Sequence, residues 1–430
     1  MAETWQAGIA KAIITPETTQ WLSGYGSVRQ AEGKRHDLWV KALALEDAGG
    51  SRAVVLTSDL VGLSKTMYDR LCAEIERRFD LGRAQVMLTY SHNHCGPVTS
   101  ETLPDYYPLD AAQWAVVDEY TAWLEDRILD TIREALTRLA PAQLFAGEGT
   151  ATFAVNRRNN REAEVADLLA QGTPLKGPVD HSVPTLAVRS PDGKLLAAVF
   201  GYACHTTTLN DCLWCGDYAG YAQIAVEQAH PGALAMFWAG CGGDQNPLPR
   251  RSVELCERYG NRLAAGVEEA LSGPMRPIAP TLRTAFAFVS LDFERNPTRA
   301  EIEADTHSEN GVRARWAQRT LTLLDAGQTF AQSHPYAVQV WRLGGEQLWI
   351  ALGAEAVVDY SLRFKREFGP QTWVAGYAHD MVAYIPSRRV WEEGGYEGGY
   401  VYEYGWPAYR WAGDVEERIA ATVHKLVEAV

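Results

Sequence analysis

The chain has 430 residues, 47% of them hydrophobic and 22% charged, which supports a large buried core and excludes disordered and fibrous classes. Lys and Arg number 40 against 54 Asp and Glu, a formal charge of −14 with no basic run that could track phosphates, so no nucleic acid partner is expected. No window reaches the roughly 18 uninterrupted apolar residues of a membrane helix, and the opening MAETWQAGIAKAIITP lacks the charged-then-apolar order of a signal peptide; a soluble, cytoplasmic protein with no membrane partner is the expectation.

In chain order, Ala53 to Thr57 (AVVLT) reads as a buried strand, followed by an amphipathic helix from Ser64 to Phe79. Gln85 to Thr89 (QVMLT) reads as a second strand, and it runs into Ser91-His92-Asn93-His94-Cys95-Gly96-Pro97, where Gly and Pro stop regular structure. From Ala111 to Leu139 the positions Trp114, Val117, Tyr120, Leu124, Ile128, Ile132 and Leu136 recur at helical spacing and predict a long helix with one buried face. Val183 to Val188 and Leu195 to Tyr202 flank Ser190-Pro191-Asp192-Gly193, a turn sequence, and predict a hairpin whose second strand leads into Cys204-His205. Ala233 to Trp238 forms a further strand before Gly240-Cys241-Gly242-Gly243-Asp244-Gln245-Asn246-Pro247. A helix from about Val253 to Leu271 ends at Ser272-Gly273-Pro274, and the prolines up to 280 make 272–280 the best-placed internal boundary. Beyond it, Thr281 to Phe293 predicts a strand, Arg299 to Leu324 one helix, and Gly344-Gly345 a hairpin turn. Strands alternating with helices but interspersed with hairpins predict an α/β fold of mixed sheets flanked by helices.

The chemistry-bearing residues cluster after strands. His92 and His94 are two apart, so in extended backbone both rings lie on one side of the chain and can approach a common ion, although two solvated loop histidines have the same spacing. His205 also follows a strand, and Asp59, Asp217 and Asp244 each stand in a loop at or soon after a strand end, where open α/β sheets gather functional groups and where Asx-turns and helix caps are equally at home. No G-x-S-x-G elbow, H-E-x-x-H helix or P-loop is present, and Gly240 to Gly243 lacks the Lys-Ser/Thr ending of a phosphate cradle. The seven cysteines suit reduced thiols better than a disulfide framework, and Cys212-Leu213-Trp214-Cys215 is a C-x-x-C without a second pair. A Cys-dependent hydrolase would have to use Cys95 or Cys204 beside His94 or His205.

Taken in order, GIAKAIITP, SHNHCGP, Asn156-Arg157-Arg158, VDHSVPTLAVRSPDGKLLAAVFGYACH, GDYAGYA from Gly216, GGDQNP and Tyr396-Glu397-Gly398 resemble the motif series of the neutral/alkaline non-lysosomal ceramidase family over nearly the whole chain. The resemblance implies a single catalytic domain over 1–430 and amide hydrolysis with a Zn²⁺ ion held by two histidines, a glutamate and a tyrosine. By motif match these are similar to His92, His205, Glu355 in LGAEAVVDY and Tyr384 in AHDMVAYIPS. It also implies that His94, Arg157 and Tyr396 grip the substrate carbonyl or developing oxyanion. Such a nitrogen and oxygen set suits zinc, and an ion that activates water removes the need for a serine nucleophile. Asp217 and Asp59 then become acceptors for a ligating imidazole N–H or bases for the water, with Asp244 in the loop that carries Asn246.

Asn246 stands where ceramide-cleaving members of the family carry a serine in G-D-x-S-P, which removes a hydroxyl at the scissile amide. From the sequence, neither those enzymes' C-terminal immunoglobulin-like domain nor their secretion signal is expected. The expectation is a small, soluble substrate, an N-acyl compound or a carbohydrate. From Trp391 to Trp411, Tyr396, Tyr400, Tyr402, Tyr404, Trp406 and Tyr409 lie among glycines and predict an exposed aromatic lining suited to sugars or acyl chains. Three readings therefore stay open: amide or ester hydrolysis, metal-assisted carbohydrate cleavage, and a metal-stabilised ligand-binding protein without turnover.

Overall fold

The computed structural model describes residues 4–430 and is built on one mixed sheet of 13 strands. From one edge the order is Leu234–Ala239, Leu195–Tyr202, Ser182–Arg189, Ala140–Thr150, Trp5–Ile13, Trp39–Glu46, Arg52–Ser58, Val86–Tyr90, Trp373–Ala378, Gln347–Gly353, Ser333–Leu343 and Leu282–Asp292, with Arg276–Ile278 added alongside Ala140–Thr150. Three neighbour pairs are parallel: Leu195–Tyr202 with Leu234–Ala239, Arg52–Ser58 with Val86–Tyr90, and Gln347–Gly353 with Trp373–Ala378. The rest are antiparallel, which gives the mixed α/β architecture expected from the interspersed hairpins.

Val86–Tyr90 and Trp373–Ala378 share only the antiparallel pair Thr89 and Ala378, so the carboxyl ends of these two strands meet. A bridge between Gly240 and Ala375 ties the edge strand's exit loop to the same place, and Gly376 there leaves no room for a Cβ against the Cys241 backbone. One core joins Leu43, Val55, Val199 and Met236 of the first half to Trp341, Trp349 and Trp373 of the second. Trp238 and Trp349 stand 5.6 Å apart in it. The outer faces are covered by helices: Leu71 and Ile75 of Lys65–Phe79 and Leu124, Ile128 and Ile132 of Ala111–Thr137 bury against the first half. Ile419 and Val423 of Val415–Ala429 do the same against the second. Among the described residues no helix is long and apolar enough to cross a membrane.

Several local expectations are corrected. Arg299 to Leu324 is two helices, Arg299–Asp305 and Gly311–Asp325, because Asn310 accepts from the amides of Val312 and Arg313 and starts a new helix there. Ala140–Thr150 is an unforeseen strand; its Gly149 lets the helix Val253–Ser272 approach so closely that a Cβ would stand 1.8 Å from the Gly266 carbonyl oxygen. The 272–280 stretch contributes Arg276–Ile278 to the sheet, where the Ile278 carbonyl accepts from Trp5 Nε1 at 2.9 Å. The aromatic segment folds into short helical turns, Arg388–Glu393, Tyr396–Gly399 and Val401–Tyr404. Tyr396 and Tyr400 are 37% and 42% exposed as expected of a lining, but Tyr402 and Trp411 are buried in the packing beneath.

Candidate metal and active site

The carboxyl ends of the strands deliver the site. His92 comes two residues after Val86–Tyr90, but not in extended backbone: its φ is +54°, and the rings of His92 and His94 converge through a turn. Asn93 between them pins that turn, giving its side-chain N–H groups to the carbonyls of Cys215 (2.7 Å) and Asp59 (3.3 Å) and accepting from the Cys95 amide (2.9 Å). His205 follows Leu195–Tyr202. Glu355 follows Gln347–Gly353 through Ala354, held at φ +60°, and pairs in parallel register with Tyr384. Left-handed φ at two non-glycine residues beside these side chains is the kind of backbone strain that persists when the surroundings over-determine it.

Five buried side chains converge. Glu355 Oε2 lies 3.2 Å from His92 Nε2 and 3.0 Å from His205 Nε2. The Tyr384 hydroxyl is 3.2 Å from His205 Nε2, and His94 Nε2 is 3.1 Å from His92 Nε2. The backbone fixes the tautomers. His92 Nδ1 is 2.8 Å from the Val61 carbonyl and His205 Nδ1 is 2.7 Å from the Gly242 carbonyl, so both Nδ1 atoms donate and both Nε2 atoms carry lone pairs. Burial pulls the His205 imidazole down to about 4 and the His94 imidazole well below its ordinary value, so neither ring is readily protonated. Burial would raise the Glu355 carboxyl; its net direction is nevertheless well downward, which requires a proton or a cation at the facing Nε2 atoms of His92 and His205. Lone pairs set 3.0 to 3.2 Å from a carboxylate oxygen are mutually repulsive unless a cation sits among them. The donors therefore fit a borderline-soft divalent ion such as zinc, which His92, His205, Glu355 and Tyr384 would hold.

His94 completes a group of three imidazoles whose nitrogens lie within 4.8 Å of one another, the only such group among the described residues that could hold a metal ion. Unlike the other two rings, its Nδ1 has no hydrogen-bond partner among them. The ring packs against Gly24, where a Cβ would stand 2.3 Å away, and meets the edge of Tyr25 at 4.9 Å.

Arg157 leaves the short strand Ala154–Asn156, which pairs with Gln245–Pro247. Its Nε donates to Glu397 Oε1 at 2.7 Å, and its Nη2 donates to the Gly243 carbonyl at 2.8 Å and the Tyr384 hydroxyl at 3.1 Å. Asn246 Oδ1 accepts from its Nη1 at 3.3 Å, so Asn246 joins the arginine and not the imidazoles. The Tyr396 ring stands 5.0 Å from that of Tyr384.

The aspartates are corrections. Asp217 spends both oxygens on the amides of Thr208, Leu209 and Tyr218 at 2.7 to 3.1 Å. Asp244 accepts from the Val358 amide (2.9 Å) and from Asn156 Nδ2 (2.8 Å), tying the chain after Glu355 to the chain before Arg157. Asp59 accepts from the Trp39 amide at 2.9 Å. None of the three makes a hydrogen bond to an imidazole: Asp217 and Asp59 hold backbone amides where a base or a histidine acceptor was expected, and Asp244, expected among the catalytic residues, ties two chain segments together. Burial pushes the Cys95 and Cys204 thiols well above their ordinary values, the opposite of what a nucleophile needs.

Tyr377 and Tyr404 were not foreseen. The Tyr377 hydroxyl is 3.3 Å from His205 Nδ1 and 3.5 Å from Glu355 Oε2, and the Tyr404 hydroxyl donates to Glu355 Oε1. The aromatic density of Trp391 to Trp411 was the only sequence signal for Tyr404; nothing marked Tyr377. Over the cluster lies a narrow cleft of about 20 Å³ whose walls include Tyr106, Tyr396, Glu403, Val61 and Leu103.

Residues 5–267 match the family model described as neutral/alkaline non-lysosomal ceramidase, N-terminal. His92, Arg157 and His205 lie inside the match; Glu355 and Tyr384 lie beyond it. No curated protein matches the chain. Among solved structures, the neutral ceramidase from Pseudomonas aeruginosa superimposes with a TM-score of 0.75 over 100% of this chain and 75% of that one, at 20% identity. A structure described as ceramidase complexed with C2 gives a TM-score of 0.74 over 99% of this chain and 76% of that one, at 18% identity. At these identities the likeness is one of fold.

Proposed function

Because the chain belongs to the neutral/alkaline non-lysosomal ceramidase family, we propose that it is a zinc-dependent hydrolase acting on an amide or ester bond of a small polar substrate. The observation that carries this reading is the pair of lone-pair nitrogens, His92 Nε2 and His205 Nε2, facing one carboxylate oxygen of Glu355 at 3.2 and 3.0 Å. When bound there, a divalent ion would lower the pKa of water towards 7 and polarise a carbonyl.

The protein's own groups supply the rest. Carbonyls of Val61 and Gly242 keep the two rings in the tautomer that offers Nε2. Arg157 brings a fixed positive charge to the Tyr384 hydroxyl, beside the place where a carbonyl oxygen would gain negative charge, and Glu397 stops the guanidinium from turning away. His94, whose ring lines the cleft, is placed to contact the substrate.

Polarity of the cleft favours a small substrate over long-chain ceramide. Its walls carry the carboxyls of Glu355 and Glu403 and the phenols of Tyr106, Tyr384, Tyr396 and Tyr404. Asn246, in place of the serine hydroxyl, is held by Arg157. Purified zinc-loaded protein assayed on N-acyl amino acids, aryl esters, glycosides and ceramide in detergent should prefer the first two classes by kcat/KM. Turnover of glycosides alone would replace the amidase reading with carbohydrate cleavage; ceramide as best substrate would overturn the reading of Asn246.

A further inference from the structure

We propose that Glu403 is a further catalytic residue, the general acid that protonates the leaving nitrogen when the amide bond breaks. The inference rests on the hydrolase reading above. Glu403 lies on the turn Val401–Tyr404, and its side chain lines the same cleft as His92, His94, Glu355 and Tyr384. The turn is locked to the site by its next residue, since the Tyr404 hydroxyl donates to Glu355 Oε1. Glu403 is 7% exposed, and among the described residues no cation lies within ion-pair distance of it.

Around Glu403 stand the phenols of Tyr396, Tyr106 and Tyr402 and the carboxylate of Glu355. The cations nearest this wall are already engaged: Arg157 by Glu397, Arg319 by Asp105 and Arg313 by Asp305. A carboxyl enclosed by phenols and facing a second carboxylate is favoured in its neutral form, and burial accordingly pushes it up to about 7, with Glu355 acting in the same direction. That suits a group that must hold a proton near neutral pH and release it during a reaction. Structural carboxyls elsewhere in this site, Asp217 and Asp244, are saturated by amide donors. Glu403 has no such use.

The step balances without another reagent. One water adds its oxygen to the carbonyl carbon; the C–N bond breaks and its electron pair leaves with nitrogen. Glu403 gives its carboxyl proton to that nitrogen and regains one from the attacking water, so amide plus water become carboxylic acid plus amine.

The test compares wild type, Glu403→Gln and Glu403→Asp, all zinc-loaded, on an N-acyl amino acid and on a nitrophenyl ester whose leaving group needs no proton. The expected result is a fall in kcat on the amide of about a hundredfold or more in Glu403→Gln, within the range of general acid catalysis. Ester turnover and bound metal should stay near wild type, and Glu403→Asp should recover part of the amide activity. Infrared difference spectra across neutral pH should show a protonated-carboxyl band in wild type that Glu403→Gln loses. Equal turnover of the amide by Glu403→Gln, an equal loss on both substrates, or an unchanged carboxyl band overturns the inference alone. A wild-type protein that cleaves neither amide nor ester overturns the hydrolase reading and the inference with it.

Discussion

His205 presents its Nε2 to Glu355 Oε2 at 3.0 Å while its Nδ1 is committed to the Gly242 carbonyl at 2.7 Å. An imidazole that donates on one side and opposes a carboxylate on the other needs either a second proton, which burial disfavours, or a cation. Purified protein should therefore carry close to one zinc-like ion per chain by elemental analysis, and His205→Ala should lose it. Stripping with a chelator should lower Tm, because an ion present at a hundred times its Kd stabilises the folded state by about 2.7 kcal/mol.

Tyr404 lines the cleft and donates its hydroxyl hydrogen to Glu355 Oε1. Tyr404→Phe should leave the fold intact and weaken metal binding by about tenfold to a hundredfold, the usual cost of losing an outer hydrogen bond to a ligand. Competition against a fluorescent zinc chelator measures this; an unchanged affinity would mean the phenol serves packing alone.

Much of this centre was legible because its residues follow strand ends whose apolar runs are plain in sequence. His92, His94 and His205 stand after the runs ending at Tyr90 and Tyr202. Glu355 and Tyr384 needed the family resemblance, since nothing local distinguishes a carboxylate before a helix from a ligand. The aspartates were misread for a physical reason: a strand-end loop that gathers catalytic groups also leaves amides without partners, and Asp217 and Asp244 satisfy those amides. Tyr377 was hidden because its hydroxyl meets His205 only where the two halves of the sheet meet. The strand Ala140–Thr150 was hidden by its glycines, which serve helix packing.

Arg157 touches Glu397, Gly243, Tyr384 and Asn246 at once. A lysine cannot reproduce that fork. Arg157→Lys should keep bound metal and lower kcat/KM by about tenfold to a hundredfold, matching the loss of a charge-assisted hydrogen bond of about 1.5 to 3 kcal/mol. A loss of metal together with activity would instead make Arg157 a holder of Tyr384 in the ligand set.

Asp180 joins the two sides of the molecule, accepting from Lys365 Nζ at 2.7 Å and from Ser361 on the helix Val358–Phe368 while standing next to the hairpin strand Ser182–Arg189. Burial acts to raise its carboxyl, but Lys365, Ser361 and Ser182 outweigh it and the net shift is downward. A carboxyl lowered in the folded state adds stability above its unfolded value of about 3.9, and that contribution is lost as pH falls. Asp180→Asn should destabilise by about 3 kcal/mol at pH 7, with the difference from wild type shrinking below about pH 4. Urea unfolding at the two pH values checks both statements.

We also propose that residues 1–430 act as one catalytic domain, because Arg276–Ile278 pairs inside the first half while Glu355 and Tyr384 come from beyond it. A fragment ending near residue 280 should bind zinc far more weakly than the whole chain; equal affinity would contradict this.

The most direct measurement is hydrolysis of N-acyl amino acids and aryl esters by one preparation in three states: as purified, chelator-stripped, and restored with a single equivalent of zinc. Turnover that disappears on stripping, returns with zinc and is absent from His92→Ala and Glu355→Gln is the result this geometry predicts. Turnover that survives complete removal of metal would contradict it.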